Sequence, residues 1–210
     1  MKAWWLVPLV AFACRGGGEN SDVPPDSTGD PDTAQVAAVD TTLPPMPDVP
    51  DRKDGSLVAV AAGAFDSTWV WPAQAGRCTR PAMVFIIPTE LSNSGGTVLL
   101  ELPPGDPSMD YPVRFADSTG MPRPPAAMLG FQFFDQRRGD AYQASEGTVT
   151  VTELSDRTVS GHFQATVRHI VTNRRARVAG TFERIPVEPM DPAYCQKMQS
   201  AQDSLVPGGR

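Results

Sequence analysis

The sequence has few cysteines and histidines and lacks the common catalytic and cofactor-binding motifs. Its 210 residues include 3 cysteines and 2 histidines. The cysteines are too few for a disulfide-dense miniprotein and too widely spaced for a zinc finger. No nucleophile elbow, zinc-protease helix, phosphate loop or dinucleotide fingerprint occurs. The acidic residues of the C-terminal part are scattered singly. We therefore predict a protein without catalytic activity, without a metal site and without a cofactor.

Positive charge and long apolar runs are also scarce. The chain carries 18 Lys and Arg against 24 Asp and Glu, a formal net charge of −6. A nucleic-acid binder needs a surplus of basic side chains to neutralise phosphates, so we predict no nucleic-acid partner. No apolar run approaches the roughly 18 residues that a membrane-spanning helix requires.

The first residues have the pattern of an export signal. Lys2 precedes an uncharged stretch from Ala3 to Ala13, which has the length of a signal-peptide core. The stretch ends in Ala11-Phe12-Ala13-Cys14, and small residues three positions and one position before the cleaved bond suit a signal peptidase. We predict a signal peptide over residues 1–13.

The cysteine directly after this signal resembles the lipobox of bacterial lipoproteins. The resemblance implies that Cys14 is acylated, becomes the new N-terminus and anchors the protein in a membrane. Arg15 follows where Asp would favour the inner membrane, so the resemblance implies outer-membrane delivery. Ala11 stands where the family usually has Leu. Because Ala11 and Ala13 also satisfy the ordinary secretory peptidase, a secreted or soluble periplasmic protein is the alternative.

The next segment has the composition of a tether. Residues 15–56 contain seven prolines, five glycines and no aromatic residue, with nine acidic and three basic side chains. Such a segment cannot bury enough apolar surface to offset the entropy of ordering it. We predict that residues 14–56 form a lipidated cysteine and a disordered acidic linker, and that residues 57–210 form a single domain.

Short apolar or alternating runs bounded by turn residues indicate that this domain is all-β. Candidate strands lie at 57–62, 68–72, 82–88, 97–102, 130–135, 147–153, 158–171 and 175–186. Without a sustained helical period between them, we predict an antiparallel β-sandwich or small barrel with one short C-terminal helix, capped by Asp191 and ending near Leu205. Seven prolines between Pro103 and Pro125 predict a long loop outside the sheet.

Matching apolar faces predict a contiguous meander of the last three strands. In the final hairpin they place Phe163 opposite Phe182 and Val167 opposite Val178. In the preceding hairpin they place Val151 opposite Val159.

Two pairs of residues have expected structural roles. With Cys14 in the membrane, Cys78 and Cys195 form an even pair in an oxidising compartment, and we predict a disulfide that holds the C-terminal helix against the early strands. His162 and His169 lie seven residues apart on one strand, so they point to opposite faces and cannot share a metal ion. The predicted register sets His162 opposite Glu183.

Four arginines form the only suggestive constellation. The same register places Arg168 opposite Arg177, with Arg174 and Arg175 at the adjoining turn. Facing like charges destabilise a sheet unless a negative group lies between them. That group is either an acidic residue of this chain or an anionic envelope component, and we predict a candidate anion-binding site.

These patterns predict a cell-envelope lipoprotein whose β domain is a non-catalytic binding or structural module. The alternative is a β-barrel that carries a small hydrophobic ligand, suggested by seven aromatic side chains, namely Trp69, Trp71, Phe85, Phe131, Phe133, Phe163 and Phe182. An internal cavity of roughly 300 Å³ or more would favour the carrier, and a filled core would favour the binding module.

Overall fold

The computed structural model describes residues 43–51, 53–90, 93–114, 124–134 and 139–197. All of them belong to one compact unit. The predicted signal peptide, the predicted lipidation site at Cys14 and most of the predicted linker lie outside the described residues.

The described chain is almost entirely β-structure. The strands are β1 (Ser56–Gly63), β2 (Ser67–Thr79), β3 (Ala82–Pro88), β4 (Ser94–Glu101), β5 (Asp110–Pro112), β6 (Ala126–Phe134), β7 (Gly139–Leu154), β8 (Thr158–His169) and β9 (Arg175–Pro189). One helix, α1 (192–197), follows β9. The all-β prediction is confirmed, and β3 has the predicted bounds.

Eight of the strands close into an antiparallel barrel. Consecutive strands are neighbours in space, from β1 to β4 and from β6 to β9, with β4 beside β6. The wall closes where β1 pairs with β9. The fold is therefore the small barrel of the two predicted architectures. Closure pairs the edges that an open sheet would leave exposed.

The proline-rich segment between β4 and β6 contributes a strand, so the prediction that it lies wholly outside the sheet is wrong. β5 pairs with β7, Tyr111 opposite Val149. The Tyr111 side chain is fully buried in the core, and its hydroxyl donates a hydrogen bond to the Pro107 carbonyl oxygen at 2.8 Å. A three-residue strand that carries one buried aromatic is too short to show a period in the sequence.

Alternating side chains from every strand of the barrel fill its interior. The largest of them that are fully buried include Tyr111, Phe163, Phe182, Leu57, Ile86, Leu100, Leu129 and Ile185. Smaller residues, many of them alanines, fill the remaining inward positions. This arrangement is one that an eight-stranded barrel permits, because its interior is just wide enough for side chains to fill it.

The last hairpin has the predicted faces but a different register. Phe163 lies opposite Gly180, and Phe182 lies opposite Gly161. Each phenylalanine ring covers the glycine of the facing strand, and a β-carbon at either glycine would overlap that ring. The predicted pairing of Phe163 with Phe182 is wrong by two residues, because two rings opposite each other fill the interior less well than two ring-over-glycine contacts.

The preceding hairpin is also displaced by two residues, since Val151 pairs with Gly161 and not with Val159. Bulges between Ala144 and Glu146 and between Val151 and Glu153 alter its register along the strand. Bulges insert an unpaired residue and cannot be read from alternation.

The two ends of the barrel differ. We call the end where β1 turns into β2, β3 into β4 and β8 into β9 the tip end, and the opposite end the base end. Aromatic rings close the interior at the tip end, where Trp69 stacks on Trp71 at 5.6 Å and on Phe133 at 4.7 Å between ring centroids. Phe65, from the β1–β2 turn, lies 4.4 Å from the Tyr142 ring.

A disulfide between Cys78 and Cys195 joins β2 to α1, as predicted. The Asp191 side chain caps the helix by accepting a hydrogen bond from the Ala193 amide at 2.7 Å, and the predicted continuation to Leu205 lies beyond the described residues. Both half-cystines are buried with Met83 and Leu99 in a second apolar cluster. This cluster lies on the outer face of the barrel and is covered by the C-terminal segment.

Candidate functional site

The four predicted arginines lie together on the β8–β9 hairpin. We call Arg168, Arg174, Arg175 and Arg177 the arginine face. Arg168 lies opposite Arg175, and Arg177 lies opposite Thr166. The predicted pairing of Arg168 with Arg177 is wrong, because the whole hairpin is displaced by two residues, but two arginines still face each other across the strands.

Groups of this chain meet part of the arginine face. One guanidinium nitrogen of Arg175 lies 3.1 Å from the Glu146 carboxylate. Arg177 donates a hydrogen bond to the Thr166 hydroxyl at 2.8 Å. Glu146 is thus one of the negative groups that facing arginines require. The sequence did not indicate Glu146, because the strand predicted there began at residue 147. A bulge between Ala144 and Glu146 also shifts the register at this point.

A surface pocket of about 190 Å³ adjoins this face. Its lining includes Met46, Glu146, Gln164, Thr166 and Arg177. The pocket offers a guanidinium and a carboxylate beside one methionine, so its chemistry is polar and of mixed charge. Met46 belongs to the predicted linker, and its part in the lining shows that residues near 46 lie against the outer face of the barrel.

His169 organises the turn between β8 and β9. Its Nδ1 accepts hydrogen bonds from the amides of Val171 at 3.2 Å and Thr172 at 3.0 Å. The ring proton therefore resides on Nε2, which donates to the Asp140 carboxylate at 3.1 Å. With a side chain only 8% exposed, His169 is a buried structural residue that fixes the shape of the turn.

The positive charge of Arg174 acts on Tyr142, one of the aromatic residues at the tip end. Burial raises the pKa of the Tyr142 hydroxyl, the positive charge of Arg174 lowers it, and the negative charge of Asp140 raises it, with a net increase. Tyr142 also meets the His169 ring edge-on at 5.1 Å. Arg174 is therefore close enough to Tyr142 for its charge to act on the hydroxyl.

His162 points to the opposite face from His169, as predicted. It lies opposite Thr181 and not Glu183, so the predicted pair with Glu183 is wrong. Within the described part of the chain, His162 Nδ1 and Thr181 Oγ1 are buried and have no hydrogen-bond partner.

The described residues contain no group of three or more His, Cys, Asp or Glu side chains that could hold a metal ion. Over the same residues, no helix is long and apolar enough to cross a membrane. The chain matches no protein-family model, and it has no significant match among curated proteins or solved structures.

Proposed function

We propose that this protein is a lipid-anchored module of the cell envelope that binds an anionic component through its arginine face and performs no catalysis. The anchor is Cys14, delivered to the outer membrane, and the barrel is connected to it by the acidic linker. The observation that carries the proposal is the concentration of four arginines on one hairpin.

Two features of the barrel support a role for its surface. Side chains from every strand fill the interior, so the outer face is where a partner can be recognised. On that face, Arg175 remains half-exposed although it contacts Glu146. Guanidinium groups bind carboxylates, phosphates and sulfates through paired donors, so a partly exposed cluster of them suits an anionic partner.

Salt-dependent retention on an immobilised anionic polysaccharide tests the binding proposal. We expect the full chain to elute at clearly higher salt than a variant with Arg168→Gln, Arg175→Gln and Arg177→Gln. Arg77→Gln is the matched control, because Arg77 lies on β2 and pairs with Asp156. The control should elute like the wild type. Equal elution of the triple variant and the wild type would refute the proposal.

The anchor is tested separately by mass spectrometry of the mature N-terminus after expression in a bacterium. We expect a diacylated or triacylated Cys14, and release of the Cys14→Ser variant from the membrane fraction. An unmodified N-terminus starting at residue 14 would establish the secreted alternative.

The second candidate is a carrier of a small hydrophobic ligand. The closed barrel favours it, because eight-stranded barrels can hold one small ligand inside. The packed interior described above favours the binding module, and a carrier would need the Phe163 and Phe182 rings to move aside.

A further inference from the structure

Exposed apolar side chains are concentrated toward the tip end. Of the large apolar residues exposed by more than a third in the described chain, five lie in that half and two, Met109 and Tyr194, lie elsewhere. The five are Val70, Ile87, Phe134, Ile170 and Val171. Single exposed apolar residues are ordinary, whereas adjacent ones form a patch that can serve as an interaction surface.

Ile170 and Val171 protrude the most. They are 61% and 78% exposed and lie side by side at the turn of the β8–β9 hairpin. The turn is fixed by the hydrogen bonds from its amides to His169 Nδ1 and by the bond from the Asn173 amide to the His169 carbonyl oxygen at 3.1 Å. Two aliphatic side chains are thus held outward, which reduces the entropy lost when they are buried.

Positive charge surrounds these two side chains. Arg168 and Arg174 lie within a few residues of them on either side, and Arg175 begins the returning strand. At this end of the hairpin, Glu146 meets Arg175 and Asp140 meets His169. A protruding aliphatic pair above a band of arginines matches the interface of an anionic bilayer, where acyl chains lie beneath negative headgroups.

We propose that the tip of the β8–β9 hairpin docks on an anionic phospholipid bilayer, with Ile170 and Val171 entering the interface and the arginines contacting headgroup phosphates. The proposal deepens the proposed function, on which it rests, by naming the anionic component as a lipid surface. A protein partner would be better served by a flat or concave patch than by two side chains raised on a turn.

The predicted anchor makes weak docking sufficient. A disordered linker of roughly 30 residues, as the composition predicts between Cys14 and the described chain, would have a reach on the order of 30 Å. A barrel held that close to a bilayer experiences a high effective lipid concentration. Docking would then fix which end of the barrel faces the membrane.

Vesicle co-sedimentation tests the proposal on the mature chain, residues 14–210, carrying Cys14→Ser so that no acyl chain contributes. The probes are vesicles of phosphatidylglycerol and phosphatidylcholine, and vesicles of phosphatidylcholine alone. We expect binding to the anionic vesicles only. The double variant Ile170→Ser, Val171→Ser should lose about tenfold or more in affinity. Arg168→Gln and Arg174→Gln should each lose about fivefold.

Met109→Ser is the matched control, because Met109 is an exposed apolar residue away from the tip end, and its binding should equal that of the wild type. Ile170, Val171 and Arg174 are exposed at the turn, and Arg168 is partly buried on β8. Unchanged thermal unfolding would show that the variants fold.

Three outcomes would overturn the inference, each with a different meaning for the proposed function. If only the arginine variants lose binding, the arginine face binds anions but the hairpin does not enter the bilayer. If the chain binds the polysaccharide column but no vesicle, an anionic partner other than a lipid surface is indicated. If it binds neither, the proposed function fails as well.

Discussion

At the scale of single residues, Glu101 gives the barrel a pH-dependent stability. It is only 9% exposed on the outward side of β4, beside Met83 and Ala126. Burial raises the pKa of its carboxyl from 4.5 to about 7. The folded state therefore holds this proton more tightly than the unfolded state does. Its contribution to stability is largest below about pH 4.5 and decreases as the pH rises toward 7.

Glu101→Gln should remove this dependence. The difference between the two pKa values corresponds to about 3 kcal/mol of unfolding free energy as an upper estimate. Urea unfolding at pH 5 and pH 8 measures the effect. From pH 5 to pH 8, the free energy of unfolding of the wild type should fall by more than that of the variant. The exposed Glu188 provides the control variant Glu188→Gln, which should keep the wild-type difference. Parallel profiles for wild type and Glu101→Gln would contradict the assignment.

Gly180 is one of the residues at which the barrel has no space for a β-carbon. A methyl group there would overlap the Phe163 ring and the carbonyl oxygen of Val58 on β1. We expect Gly180→Ala to destabilise the protein by about 1–3 kcal/mol or more, since an overpacked core must shift backbone or leave preferred rotamers. Chemical denaturation measures the loss.

Gly130 provides the matched control within the same barrel. A β-carbon there would meet only the Tyr142 carbonyl oxygen, at 4.0 Å. Gly130→Ala should therefore be neutral or slightly stabilising, because alanine loses less conformational entropy on folding. Equal effects at the two glycines would mean that Phe163 does not cover Gly180.

At the scale of strands, alternation predicts where a strand lies but not how far it slides against its neighbour. The apolar positions of β8 and β9 repeat every second residue, so a slip of two residues keeps every face correct. The choice between the two registers depends on ring-over-glycine contacts. Gly161 and Gly180 are visible in the sequence as glycines at inward positions, and they are the signal that could have selected the observed register.

The same reasoning explains which parts of the candidate site were predictable. The arginine face requires only two adjacent strands joined by a short turn, so sequence neighbours suffice to assemble it. Glu146 and Asp140 come from β7, which reaches the hairpin through bulged pairing with β8. Their contacts with Arg175 and His169 depend on that pairing and could not be inferred from alternation.

The C-terminal segment depends on the disulfide more than the barrel does. Cys78 and Cys195 are separated by 117 residues, and closing a loop of that length stabilises the folded state by about 4–5 kcal/mol in the chain-entropy model. The cluster they join is separate from the barrel interior. We expect the double variant Cys78→Ser, Cys195→Ser to keep its barrel and lose stability by at most this amount.

Limited proteolysis shows which part of the double variant is destabilised. Cleavage near Met190 should become faster in the double variant, because Met190 and α1 no longer stay packed over β2. The near-ultraviolet circular dichroism of the tip-end aromatic rings should be retained. Complete unfolding of the double variant would show that the two clusters are not independent.

At the scale of the whole molecule, the question is whether the interior of the closed barrel can hold a ligand or is filled by side chains. Phe163 and Phe182 cross the interior from neighbouring strands, and the rings of Trp69, Trp71 and Phe133 close the tip end. A solid barrel has no room for a ligand until a large side chain is removed. An apolar cavity made in this way stays dry and accepts small apolar molecules.

Phe163→Ala should therefore convert the barrel into a binder of benzene. The variant should be about 3–5 kcal/mol less stable than the wild type and should regain part of that loss in benzene-saturated buffer, measured as an increase in Tm. The wild type should show no such increase. Ile86→Ala is a second variant with a smaller cavity, useful if Phe163→Ala does not fold. If instead the wild type binds an apolar probe with one-to-one stoichiometry, and Phe163→Trp weakens that binding, the barrel is a carrier and the interior opens in solution.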